Sequence, residues 1–277
     1  MATEPRSQAF WRRRRTVVLI VAALLFLPPL SILFQLSADT NFCGRWCPRM
    51  FFVWRRGMDL GSFFDGWVRA GIGVALVGLI LLATVWLGRI WCSHLCPVGS
   101  GLELGSRLVP KRLKIDFSRV PAAPFRYAFL AVFMVVPALG IGSLCCNYCN
   151  FAALPRLFGA PFSGADATYF LRVQGGINLG LLLGLGVFAA GGRAYCNLLC
   201  PIGALDALAN RFGFRKARRM RIDPDRCTEC GECVAACPVW AISEHSKPVI
   251  DQLSCMPCGL CERACSEGAI GYGDQAT

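Results

Sequence analysis

One stretch constrains this chain more than any other: CTECGECVAACP, Cys227 to Pro238, answered by CMPCGLCERAC, Cys255 to Cys265. The first run reads C-x2-C-x2-C-x3-C-P, the spacing of bacterial two-cluster ferredoxins, in which the fourth Cys of each run ligates the other run's cluster. The spacing predicts one [4Fe–4S] cluster on Cys227, Cys230, Cys233 and Cys265, and a second on Cys255, Cys258, Cys261 and Cys237. Three thiolates so spaced wrap one face of a cubane, and the distant fourth closes the domain. Zinc sites instead pair two C-x2-C knuckles, and a disulfide framework has no reason to repeat this spacing.

The rest of the chain is apolar. Of 277 residues, 55% are hydrophobic, and the mean hydropathy is +0.49. A soluble domain is nearer to about 45–50% apolar. The excess lies in uncharged runs, which implies a membrane protein with a soluble appendage. The net charge of +12 would suit a nucleic-acid partner, but the basic residues flank apolar runs and form no single patch, so no nucleic acid is expected. The two histidines, His94 and His245, are too few for a haem b quinol oxidase. Seventeen cysteines, mostly in spaced pairs and quartets, point to metal ligation ahead of disulfides.

Four apolar runs predict transmembrane helices over about residues 16–36, 70–88, 127–144 and 175–192, since about 20 residues cross a ~30 Å hydrocarbon layer. The fold expected is membrane α-helical: four spans in two repeats, then a small α+β two-cluster ferredoxin domain. Its units are a basic N-terminus (1–15), a membrane domain (16–214) and a ferredoxin domain (215–277). Most of the 29 Lys and Arg fall at the N-terminus, between the second and third runs and in the C-terminal segment. That bias places both termini in the cytoplasm of a multi-pass inner-membrane protein. The RKARRMR stretch, Arg215 to Arg221, reads as a lipid-hugging segment.

The remaining cysteines repeat. FCGRWCP, WCSHLCP, LCCNYCN and YCNLLCP place C-x3-C pairs at Cys43/Cys47, Cys92/Cys96, Cys145/Cys149 and Cys196/Cys200, with Cys146 left over. The membrane part therefore reads as a duplication. Topology puts Cys92, Cys96, Cys196 and Cys200 on the inner face, where four thiolates match one further [4Fe–4S] cluster and the alternative is free structural cysteines. Cys43, Cys47, Cys145 and Cys149 fall on the outer face. There a cluster competes with disulfides or another soft metal.

From about Cys92 onward the pattern WCSHLCP, YCNLLCPIGALDAL and the two ferredoxin runs resembles the NapH/MauN/NosR family of membrane polyferredoxins. The resemblance implies a membrane electron-transfer subunit of a quinol dehydrogenase. Such a subunit passes electrons between a quinol or ferredoxin pool and a periplasmic ferredoxin-type or cytochrome c partner. A soluble cytoplasmic carrier and membrane lipid are further expected partners. MauN-, NosR- and CcoG-like relatives imply the alternative of an assembly factor supplying electrons or reduced metal to a periplasmic enzyme. A redox sensor switching through Cys146 is the third reading. A quinone would need a proton acceptor near the interface. His94, Glu103 and Asp206 are the candidates, though each reads more simply as a solvated loop residue.

Overall fold

The computed structural model describes residues 6–24, 54, 56–140, 150–161, 164–213, 217–243 and 248–273. The chain is helical, but the four-span expectation is overturned. Among the described residues no single helix is both long and apolar enough to cross a membrane. Helix α1 (Arg6–Leu24) spends its first half on charged residues. Helices α2 (Leu60–Arg69) and α3 (Gly71–Leu87) meet at 89° across Ala70. The 17 residues of α3 rise about 26 Å at ~1.5 Å each, short of the ~30 Å layer.

The third apolar run becomes α5 (Ala122–Ala138), again 17 residues, and it carries the buried Arg126 in its first turns. After α6 (Asn150–Gly159), α7 (Gly164–Leu171) meets α8 (Val173–Leu182, continued as a π-turn to Val187) at 88°, so the fourth run, 175–192, begins just past a corner and breaks into α8, the π-turn and a short turn at Ala190–Gly192. Gly175 permits the bend, because a Cβ there would lie 2.0 Å from the Tyr169 carbonyl oxygen. Hydropathy counts apolar residues along the chain and does not register these corners.

The two C-x3-C-P segments fold alike. A short helical turn carries the first Cys: the π-turn Trp91–Leu95 in one copy, α9 (Ala194–Leu198) in the other. The second Cys is extended, with φ −68° and ψ 115° at Cys96 and φ −71° and ψ 116° at Cys200. Each caps a helix that opens on Pro, α4 (Pro97–Leu108) and α10 (Pro201–Arg211). Proline suits that position because its missing N–H would have no helical partner there. Helix α4 packs on α1 and on the Leu183–Val187 turn of the second copy, whereas α10 packs on α3 of the first copy and on α5. The copies are thus interleaved.

The C-terminal segment is pinned by two strands, β1 (Arg219–Ile222) and β2 (Ile270–Gly273). They pair antiparallel with Arg219 opposite Gly273 and Ile222 opposite Ile270. Short helices α11 (Glu232–Ala236) and α12 (Leu260–Ala264) follow the two cysteine knuckles and pack on each other.

Candidate metal centre

The ferredoxin runs cross in space. One small cavity is lined by Cys237, Cys255, Cys258 and Cys261, with Met220, Val239, Ile242, Ile250 and Met256 as apolar wall. A second is lined by Cys227, Cys230, Cys233 and Cys265. The crossing follows from the chain. Cys237 and Cys265 each leave the end of a short helix in extended conformation, turned away from their own knuckle. Among the described residues no three His, Cys, Asp or Glu side chains converge tightly enough for a lone metal ion. All twelve described cysteines are unbonded to one another.

A third quartet forms where the interleaved copies meet. Cys92 and Cys196 lie in the same buried core as Cys233, Cys255 and Cys261, against which Cys237 and Cys265 pack. Cys96 and Cys200 pack against the neighbouring core of Val98, Leu102, Leu182 and Tyr195. Burial raises all four thiols, Cys96 to about 11, and the neighbouring sulfurs raise Cys92, Cys96 and Cys200 further. Thiols so disfavoured as thiolates become ligands only beside a cationic metal core, which deprotonates them. Backbone amides already point at ligand sulfurs: Gly203 N–H donates to Cys200 Sγ, Ala241 to Cys237 Sγ and Ala269 to Cys265 Sγ, each at 3.3 Å. Such bonds are among the levers a protein has on cluster potential.

Buried arginines knit the copies together. The Cys92/Cys96 and Cys196/Cys200 pairs are each preceded by Gly-Arg-x-x, as GRIWC and GRAYC. Arg89 and Arg193 occupy equivalent positions and are 0% and 1% exposed. Each reaches across to the other copy. Arg193 donates to the carbonyls of Cys92 and Ser93 and to Glu103. Arg89 donates to Gly203 O at 3.0 Å and to Asp206 at 3.3 Å. Glycine three residues past each capping Cys makes room. A Cβ on Gly99 would sit 2.1 Å from Arg193 Nη1, and one on Gly203 3.4 Å from Arg89 Nη2.

The same turns grip the middle ferredoxin site. Arg89 Nη1 donates to Leu253 O at 3.0 Å, and Ser93 Oγ reaches Pro257 O at 3.5 Å. From the other copy, Asn197, equivalent to Ser93, donates to Val239 O at 3.0 Å. The first copy therefore holds the Cys255–Cys258 knuckle, and the second holds the Cys237 arm.

The three quinone-site candidates lie elsewhere than on solvated loops. Glu103 is buried and accepts from Arg15, Arg107 and Arg193. Burial alone would raise its carboxyl, but Arg193 and Arg15 hold it down to about 2. Asp206 is buried and accepts from Thr84 and Arg89. His94 is half-buried, with Nδ1 2.6 Å from Ser93 Oγ, and burial followed by the charges of Arg15 and Arg193 lowers it to about 4. It is therefore neutral at pH 7. The outer-face candidates Cys43, Cys47, Cys145 and Cys149, together with Cys146, fall outside the described residues. The functional residues that the cysteine spacing does not reveal are Arg89, Arg126 and Arg193. The signal for Arg89 and Arg193 was the Gly-Arg-x-x-Cys repeat; Arg126 carries no such motif.

Comparison with known proteins agrees with this geometry. A 4Fe-4S binding domain matches residues 70–116, and 4Fe-4S dicluster domains match residues 192–241 and 219–266. The methylamine utilization ferredoxin-type protein MauN of Paracoccus denitrificans is 30% identical over 187 residues, covering 65% of this chain and 59% of that one. The ferredoxin-type protein NapH of Escherichia coli is 26% identical over 202 residues, covering 71% of this chain and 63% of its own. The chain carries 4Fe–4S binding domains and is similar to ferredoxin-type proteins of the NapH/MauN kind. Another MauN, from Methylobacillus flagellatus, is 29% identical over 65% of this chain and 59% of its own. The chain thus spans about three fifths of the length of these MauN and NapH relatives. No solved structure matches it. Iron–sulfur electron transfer is the class of function that these NapH/MauN-type relatives support.

Proposed function

We propose that this chain is a membrane-attached conduit for single electrons with three [4Fe–4S] sites in series. The sites are Cys227/Cys230/Cys233/Cys265, Cys255/Cys258/Cys261/Cys237 and Cys92/Cys96/Cys196/Cys200. The observation that carries the reading is one continuous buried core containing thiols from all three quartets. A cubane, when bound, takes up and releases one electron at a time with little change of shape. The chain's part is to order the sites, keep them dry and tune them by amide donors and charge.

The order is physical. Cys230 is exposed, so the first site meets solvent, where a soluble carrier can exchange electrons. Cys255, Cys258 and Cys261 are buried behind it, and the third site lies beyond them between the interleaved copies. Membrane attachment is supported by exposed apolar side chains that no part of the described chain covers. These include Val17 and Val21 on α1, Leu79 and Leu82 on α3, and Val132, Val135 and Leu139 on and just after α5. Such faces lie against lipid in this reading, with the ferredoxin segment on the cytoplasmic side. The onward partner is a periplasmic redox protein.

The test is iron per chain on anaerobically purified protein. Three cubanes hold about 12 iron, and a fourth on Cys43, Cys47, Cys145 and Cys149 would bring the total to about 16. The double substitution Cys92→Ser/Cys196→Ser is expected to remove about 4. An unchanged iron content in that variant would leave the third quartet without a metal and refute the series of sites.

A further inference from the structure

The arginines around the third quartet outnumber the carboxylates that could balance them. Arg15, Arg89, Arg126, Arg193 and Arg219 are buried, whereas among the described residues the buried carboxylates are Glu103 and Asp206. Arg126 is the extreme case, with 0% exposure. Its Nη1 donates to Asn197 Oδ1 and Leu253 O, both at 3.1 Å, while Nε and Nη2 have no partner. Arg89 donates to the same Leu253 carbonyl, so two guanidiniums converge there. The carboxylate bonded to this pair is Asp206, through Arg89. A buried cation without a counter-charge is strongly destabilising. The further negative charges that act on Arg126 are Asp251 and then Cys92 of the third quartet, and a cubane held by four thiolates there would add to them as a net anion in either oxidation state.

The exposed quartet has the opposite surroundings. Its ligands are flanked by Asp225, Glu229, Glu232 and Glu267, against the two neighbouring cations Arg226 and Arg263. Adding an electron makes any of the three sites more negative. That step is easiest where fixed cations face it and hardest where carboxylates do. Burial alone would oppose reduction of the third site, since the more negative state is the worse solvated. Arg89, Arg126 and Arg193 reverse the sign.

Resting on the three-site reading above, we infer that Arg89, Arg126 and Arg193 make the Cys92/Cys96/Cys196/Cys200 site the electron sink of the series. A one-electron donor of low potential gives up one electron at the solvent-edge quartet. With clusters bound, the Cys255/Cys258/Cys261/Cys237 quartet would relay that electron and the buried guanidiniums would favour it at the third, with no bond made or broken. The chain thereby sets a direction, inward from the ferredoxin segment.

The test is an EPR-monitored redox titration of the full chain in detergent with its clusters in place. The component that reduces first is expected to be missing from Cys92→Ser/Cys196→Ser. In Arg126→Met it should move to lower potential by at least a tenfold change in equilibrium constant, about 59 mV for a one-electron couple. Arg126→Lys should restore it, and the component of the exposed quartet should stay in place. Should Arg126→Met fail to assemble, Arg126→Gln removes the charge, keeps a donor for Asn197 and Leu253, and carries the same expected shift. The inference is overturned if the first-reducing component survives Cys92→Ser/Cys196→Ser, or if neutralising Arg126 leaves it in place. The two failures are separable. Unchanged iron in the cysteine variant defeats the site itself, whereas loss of a cubane's iron with the first-reducing component intact defeats only its role as sink.

Discussion

Replacing Glu103 by Gln should be the most damaging single change that leaves every cysteine untouched. Glu103 accepts from Arg193, Arg15 and Arg107, and its side chain is 5% exposed while those of Arg193 and Arg15 are 2% and 3%. Glutamine keeps the shape but leaves two guanidiniums buried without their shared counter-ion. The magnitude can be worked from the carboxyl itself. Its folded pKa of about 2 lies below the ordinary 4.5, and at about 1.4 kcal/mol per pH unit that gap is worth about 3 kcal/mol. Breaking one side of a buried pair typically costs about 3–5 kcal/mol, so the two routes agree.

The assay is urea unfolding of the detergent-solubilised protein near pH 7. The sign fixes a second observable. A carboxyl with a depressed folded pKa contributes fully above its unfolded value and loses that contribution as pH falls through 4.5 toward 2. The gap between wild type and Glu103→Gln should therefore be flat from about pH 6 to 8. Glu103→Leu combined with Arg193→Met should cost less than the sum of its parts, because the pair is removed together. A loss below about 1 kcal/mol, or a gap that varies across that range, would refute the ion-pair hub.

Other outcomes follow from the same geometry. Gly99→Ala places a methyl 2.1 Å from Arg193 Nη1; overpacking of about 1–3 kcal/mol is expected, with iron lost selectively from the third quartet. Gly191→Ala adds a Cβ 2.6 Å from Pro238 at a residue with φ +80°. It should displace the Cys237 arm and slow reduction of the third site by a donor at the exposed one, as stopped-flow would show. A strong iron chelator should act in two phases, the faster removing about 4 iron per chain, since Cys230 is exposed whereas Cys255, Cys258 and Cys261 are buried. Monophasic release would place the two ferredoxin sites in equivalent surroundings.

The ferredoxin half was legible because its information is local. Three cysteines at intervals of three already describe one wall of a cavity, and the extended Cys237 and Cys265 complete the opposite ones. The part before it was read from hydropathy, which misled for a reason. Apolar composition does not reveal that Ala70 is a corner or that Gly175 lets α8 fold back on Tyr169. Counting Lys and Arg for orientation treats Arg89, Arg126 and Arg193 as loop cations, whereas all three are buried. Glu103 and Asp206 read as solvated for the same reason: their partners lie 90 and 117 residues away in sequence, where no local pattern reaches.

The reciprocity of the two arginines bears on how such a chain holds its sites in order. Were Arg89 and Arg193 each bonded within their own copy, the copies could separate and the third quartet would open. Each instead takes its carboxylate and carbonyl partners from the other copy, so neither turn is satisfied alone. Arg89 and Arg126 then extend the link to Leu253, two residues before Cys255. Separating the copies or lifting the ferredoxin segment would strand buried cations in either case. Buried ion pairs contribute little net stability against apolar replacements. Their effect here is to couple the Cys92/Cys96 and Cys196/Cys200 segments to each other and to the segment that carries Cys255. Disruption at the Arg89 position is accordingly expected to reach Cys255 as well as Cys92.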